Sequence, residues 1–429
     1  MQIYVIKPGD TLYGIARTFN STVNEIVTAN EISEPDRLVV GQAIVIPIVG
    51  SYYYVQRGDS LWAIGKKFGV NYLTLAEVNR INPNQPLRIG LRIYIPPMPK
   101  SRAVSNAYIE PTGVIASQSL LNDARRAAPS LTYLAPFSYH AQRDGTITPL
   151  NITGIPEIAS ENGAVLMMVI SNIENGQFSG ELGQDILESV AVQNLLLDNI
   201  LAEAKRVGVF TDIHFDFEYL PASMKDAYTA FLVRAVQKLR PEGYLISSAL
   251  APKTSAGQLG QWYAAHDYKA QGAVVDFVVI MTYEWGYSAG PPMAVSPIGP
   301  VEQVLQYALT EIPSNKIMMG QNLYGYDWTL PYVPGGQFAR AISPQFAIGL
   351  AKQYNVSIQY DYKAQAPFFN YTDTAGRQHV VWFEDARSIQ AKFDLLKRLK
   401  LRGISYWKLG LPFPQNWLLL LDNFNIVKQ

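Results

Sequence analysis

The first hundred residues hold the same unit twice, in one gap-free register. Pro8-Gly9-Asp10-Thr11-Leu12 returns as Arg57-Gly58-Asp59-Ser60-Leu61. The same offset of 49 residues carries Ile15 to Ile64, Phe19 to Phe68, Asn30 to Asn79, Leu38 to Leu87, Gly41 to Gly90 and Ile46-Pro47 to Ile95-Pro96. Whatever this segment folds into must be one small unit built twice. Each copy reads strand, helix, helix, strand. In the first, residues 4–6 make a short β run, and Asp10 or Thr11 caps a helix whose apolar face is Leu12, Ile15, Ala16 and Phe19. Thr22 caps a second helix carrying Val23, Ile26 and Val27, and Gly41 turns the chain into a closing strand over 43–46. The second copy predicts strands at 53–55 and 92–95 and helices at 61–68 and 74–78.

Both copies resemble LysM modules, which bind the N-acetyl groups of chitin and peptidoglycan. The modules span 1–48 and 50–97. Most positions of the motif are core and caps. The resemblance puts glycan contacts in the loop after the first strand and in the loop before the last. It implies Gly9, Asp10 and Thr11, with Gly58, Asp59 and Ser60, as the contact residues. Pro96-Pro97-Met98-Pro99 follows as a stiff spacer.

Composition mostly excludes. At 429 residues the chain has room for about three domains. Its 35 Lys and Arg balance 35 Asp and Glu without long runs of one sign, so a nucleic-acid partner is not expected. The absence of Cys removes disulfides, thiolate metal sites and a Cys nucleophile. The four His, at 140, 214, 266 and 379, lack ligand spacing, so neither a metal nor a cofactor is expected. Residues 417–421, the greasiest stretch near the end, are too short to span a bilayer. No basic and apolar leader precedes the first repeat, so export by a cleaved signal is not expected. The 26 Tyr, 17 Phe and 7 Trp suit a carbohydrate binder, though Tyr-rich sheets and cores give the same count.

From residue 102 onward short apolar runs alternate with helical patterns. The runs are 104–109, 131–137, 165–170, 213–217, 244–250, 277–281, 317–320 and 404–407. Helical periodicity is clear over 187–207, 224–239 and 387–399. Eight strands with helices between them predict an α/β fold, a (β/α)8 barrel over 102–429. The last gap is too long for one helix. Alternation at 356–362 and 379–383 around Thr374-Ala375-Gly376 predicts a small insertion at about 328–383.

Barrels place chemistry at the C-terminal ends of their strands. The fourth run ends His214-Phe215-Asp216-Phe217-Glu218. Residues two apart share a face, so His214, Asp216 and Glu218 point inward while Ile213, Phe215 and Phe217 point at helices. Inward polar groups are costly unless used, and two neighbouring carboxyls push one proton affinity upward, as a general acid needs. The segment resembles the Asp-x-x-Asp-x-Asp-x-Glu motif of family 18 glycoside hydrolases, the chitinase superfamily. Only the last two acids match: Thr211 stands for the first Asp and His214 for the second. His214 is expected to hydrogen-bond Asp216 in that Asp's place. Met281-Thr282-Tyr283-Glu284, Met319-Gly320-Gln321-Asn322-Leu323-Tyr324-Gly325 and Gly403-Ile404-Ser405-Tyr406-Trp407 match later strand ends of the family.

The resemblance implies substrate-assisted, retaining hydrolysis after N-acetylglucosamine. Glu218 would be the acid, Asp216 would orient the 2-acetamido group, and Tyr283 would hold its oxygen. Trp407 would floor the sugar, with His214, Glu284, Gln321, Asn322 and Tyr324 as further contacts. Two N-terminal modules and Val381-Trp382-Phe383-Glu384-Asp385 resemble one subgroup, the bacterial spore-germination N-acetylglucosaminidases that degrade cortex fragments. That implies a peptidoglycan partner and a place in the spore, at the cortex and coat. A chitinase, a muramidase and a non-catalytic glycan binder of the same fold stay open on the sequence alone.

Overall fold

The computed structural model describes residues 1–428. In each repeat two antiparallel strands, Gln2–Val5 with Ala43–Ile46 and Ser51–Tyr54 with Arg92–Ile95, carry two short helices. Thr11 and Ser60 cap the first helices, Leu12–Phe19 and Leu61–Phe68, by accepting from the N–H groups of Gly14 and Ala63. Asp10 does not cap; its carboxylate accepts from the Tyr4 hydroxyl and the Lys7 N–H. Thr22 caps the second helix of the first copy in a reciprocal pair with Glu25. In the second copy that helix starts earlier than its apolar pattern suggests, at Tyr72, because Asn71 caps it.

Eight parallel strands close the barrel. In order they are Ser101–Ile109, Tyr133–Pro136, Val165–Ser171, Phe210–Asp216, Leu245–Leu250, Phe277–Ile280, Ile317–Asn322 and Gly403–Trp407, and the last pairs with the first. All eight predicted runs are barrel strands. The outer faces bury Ile213, Phe215 and Phe217 against the helix Lys225–Leu239, with Phe215 5.1 Å from Phe231 and Phe217 stacked on Tyr228. Each such side chain contributes about 1.5–3 kcal/mol. Inside, Tyr133, Met167, Val169, Phe277 and Met318 fill the barrel bottom.

The helical pattern at 187–207 is two helices, Gly180–Glu188 and Val190–Val207. Ser189 ends the first and caps the second with its own hydroxyl. After barrel strand seven the chain builds a five-stranded antiparallel sheet with the helix Pro344–Gln353. The sheet starts at Gly325, and its strand Ala366–Thr372, opposite Gln378–Trp382, was not legible because Pro367 breaks the strand signal. Of the alternation at 356–362 only Gln359–Asp361 is strand. No helix among the described residues is long and apolar enough to cross a membrane.

Candidate active site

The C-terminal ends of the barrel strands open into a cleft of about 590 Å³. Eleven of its nineteen lining residues are aromatic, so the walls offer faces to sugar rings. Asp216, Glu218, Tyr283, Glu284, Tyr324 and Trp407 all line it. Trp407 is braced edge-on by Phe137, centroids 4.7 Å apart, and by Tyr108 at 5.4 Å.

Glu218 is held from three sides. The Asn172 side chain accepts from the Glu218 N–H and donates to its carbonyl, both at 2.9 Å. The His266 ring meets the Phe217 carbonyl at 3.0 Å. The Trp262 indole N–H donates to Glu218 Oε2 at 2.5 Å. Asp216 Oδ1, in contrast, is buried with no hydrogen-bond partner. Burial pushes both carboxyls above the usual carboxylate range, and the Asp216 charge pushes Glu218 further, against the opposing Trp262 bond. Both shifts favour a proton on the pair, the direction a general acid needs. The residues that follow two of the lining side chains, Tyr219 and Glu284, sit at φ 56° and 68°, left-handed backbone that non-glycine residues adopt at a cost. Glu284 accepts from the hydroxyls of Tyr324 and Tyr326, the latter at 3.0 Å.

Three expected sugar contacts lie outside the cleft. His214, Gln321 and Asn322 are wholly buried beneath it. Gln321 donates to Asn322, and Asn322 in turn donates to the Tyr324 carbonyl at 2.6 Å and accepts from Ser296. These side chains shape the turn after strand seven instead of facing sugar. His214 does not bond Asp216. Its Nδ1 meets Ser247 Oγ at 2.8 Å, its Nε2 meets the Tyr108 hydroxyl at 2.9 Å, and Ser247 donates to Asp212 at 2.7 Å. With Asp212 ionised, Ser247 spends its proton on it, so Nδ1 of His214 donates and Nε2 accepts from Tyr108; burial pushes Asp212 up to about 8. Burial holds the imidazole neutral, its pKa lowered to about 3. A bulge precedes these residues: Phe210 pairs with Leu166 and Asp212 with Met167, so Thr211 is an extra residue, and from Asp212 onward alternation turns Asp212, His214 and Asp216 to one face.

Among the described residues no group of three or more His, Asp and Glu could hold a metal ion. In the modules, Gly9 and Gly58 are exposed and sit at positive φ, Asp10 and Asp59 are tied to Tyr4 and Tyr53, and Thr11 and Ser60 are caps.

Sequence reasoning did not find Trp262, Asn172 or Asp212. The first two come from loops after strands five and three, where no periodicity marks them. Asp212 shares the parity of His214, so that signal was present.

Comparison with known proteins places this geometry. The sequence pattern of glycosyl hydrolases family 18 matches residues 138–411, and that of the LysM domain matches 4–47 and 53–96. The cortical fragment-lytic enzyme of Bacillus subtilis (strain 168) is 64% identical over 429 residues, covering 100% of this chain and 99% of its own. That of Bacillus anthracis is 54% identical over 430 residues, covering 100% of both. The crystal structure of the Bacillus megaterium QM B1551 spore cortex-lytic enzyme SleL superposes with a TM-score of 0.90 at 54% identity, covering 100% of this chain and 99% of that one.

Proposed function

The chain belongs to family 18 of the glycosyl hydrolases, with two LysM domains ahead of its barrel, and from that premise we propose that it cuts spore-cortex peptidoglycan after N-acetylglucosamine during germination. The full-length similarity to cortical fragment-lytic enzymes supports the substrate and a place in the spore. One observation carries the chemistry: a buried, unpartnered Asp216 oxygen two residues from Glu218, whose proton affinity burial raises, in an aromatic cleft.

Glu218 protonates the glycosidic oxygen, and the C1–O bond breaks as the substrate's own acetamide oxygen attacks C1. Asp216 has a free acceptor for the acetamide N–H and a negative charge to offset the positive ring that forms. Tyr283 steadies the acetamide oxygen, and holding this internal nucleophile in place is chiefly an entropic gain. Glu218 then takes a proton from water, which opens the ring from the same face and retains configuration. Trp262 fixes the acid: with Oε2 engaged, the proton sits on Oε1. Trp407 floors the bound sugar, and Glu284 and Tyr324 act as a bonded pair at its rim.

The sugar cut must carry a free acetamide. A muramic lactam has its nitrogen in a ring and cannot serve, so cleavage follows N-acetylglucosamine. Digestion of cortex fragments, borohydride reduction and mass analysis test this. N-acetylglucosaminitol ends support the assignment; reduced muramic ends make it a muramidase, and no new ends with binding intact make it a glycan binder.

A further inference from the structure

The two repeats are alike in sequence and unlike in surroundings. In module 1 the loop before the last strand is pressed onto the barrel and its inserted sheet. Val39 is 5% exposed, in one apolar cluster with Ile342, Ile358 and Phe369. The Ile358 N–H donates to the Val40 carbonyl at 2.9 Å, and Arg387 donates to the Gly41 carbonyl at 3.1 Å. Glu31 pairs with Arg126 at 2.9 Å, and the chain's amino group pairs with Asp422 at 2.6 Å. Module 2 has none of this. Its equivalent loop is open: Ile89, the counterpart of Val40, is 63% exposed. Just after its Gly58-Asp59-Ser60 loop stands Trp62, 61% exposed, with Lys66 over its ring.

Charge separates them too. Module 2 carries Arg57, Lys66, Lys67, Arg80, Arg88 and Arg92, all exposed, against Asp59 and Glu77. Module 1 carries Lys7, Arg17 and Arg37 against five acids. Peptidoglycan presents carboxylates on its lactyl and peptide groups; chitin presents none.

We propose that module 2 is the wall-binding module, taking a carboxylate-bearing N-acetylglucosamine glycan between its two open loops, and that module 1 is a structural collar of the barrel. This rests on the glycan-binding role assigned to the modules above. One rim of the module 1 groove is consumed by the barrel, so a sugar chain has no room to be gripped from both sides there. Module 2 keeps both rims, an exposed indole for ring stacking and a net cationic surface for the carboxylates.

The test uses the full chain with Glu218→Gln, which prevents digestion, in co-sedimentation with insoluble peptidoglycan and with chitin. Trp62→Ala and Ile89→Asp, both at exposed positions, should each lower retention on peptidoglycan about tenfold. Tyr13→Ala, the module 1 counterpart of Trp62 and 71% exposed, should leave it unchanged. Arg88→Glu should weaken retention on peptidoglycan at low salt, leave chitin unaffected, and lose its effect at high salt. Equal loss from Tyr13→Ala, or no loss from either module 2 variant, overturns the proposal. Hydrolysis of soluble cortex fragments by the unaltered chain is scored separately. Its failure would sink the hydrolase assignment while leaving the module result standing.

Discussion

The catalytic strand passes through two polar layers, one tied across three strands and one left open to the cleft. In the lower layer Tyr108, His214, Ser247 and Asp212 form one chain in which each proton has an acceptor. In the upper layer Asp216 keeps a buried oxygen unpaired, burial and the Asp216 charge raise the proton affinity of Glu218, and the backbone just beyond is left-handed. A polar group buried and paired costs little; one buried and unpaired is costly. In the upper layer the unpaired oxygen belongs to a residue lining the cleft; in the lower layer Asp212 also keeps one buried oxygen unpaired, away from substrate. The lower layer anchors strands one, four and five to each other, so the upper layer can stay under-bonded without the barrel mouth collapsing.

Substitutions should separate the layers. Glu218→Gln should lower kcat by about 10²–10⁴-fold while glycan binding persists, as steady-state rates and co-sedimentation will show. Loss of binding as well would place Glu218 with the structural layer. His214→Ala should do the reverse. It removes one buried partner from the Tyr108 hydroxyl and one from Ser247, which keeps Asp212, costing about 1–3 kcal/mol, so Tm should fall while the pH profile of kcat/KM stays put. A moved profile with an unchanged Tm would mean that the layers are not separate. Trp262→Phe sharpens the contrast within the upper layer. It should reduce kcat/KM about tenfold, the worth of one hydrogen bond at the upper end of the neutral range. It should also move the alkaline limb upward in pH, because the lost bond is the one that lowers Glu218's proton affinity.

A last test concerns Asp216, pushed up to about 7 by burial. An unfolded Asp titrates near 3.9. The protonated carboxyl therefore favours folding fully below that value, and the benefit disappears as pH rises through about 7. Asp216→Asn should melt higher than the unaltered chain at pH 8 and alike at pH 4. A lower Tm at pH 8 would show that Asp216 has a stabilising partner.

The sequence made the upper layer legible because strand period two places Asp216 and Glu218 on one inward face. It misjudged the lower layer for a reason outside the strand. Asp212 shares the inward parity of His214, but the partner chain runs through Ser247 on the neighbouring strand, a contact that no spacing within this strand records. Gln321 and Asn322 follow a strand end in the expected order, but their amides close the turn they sit on. Trp262 reaches Glu218 across 44 residues of chain from a loop without periodicity. Side chains that meet only through tertiary folding leave no spacing to read.

Gly41 and Gly90 occupy the same place in the duplicated unit, and both hold positive φ, at 85° and 80°. A methyl group on Gly90 would meet nothing within 4 Å, whereas on Gly41 it would fall 1.8 Å from the Ile358 carbonyl oxygen. Equivalent positions of the two copies thus face different constraints. The second glycine answers only to its own turn, and an asparagine there would be tolerated. The first answers also to the backbone of the inserted segment, so any side chain there would push the module off the barrel.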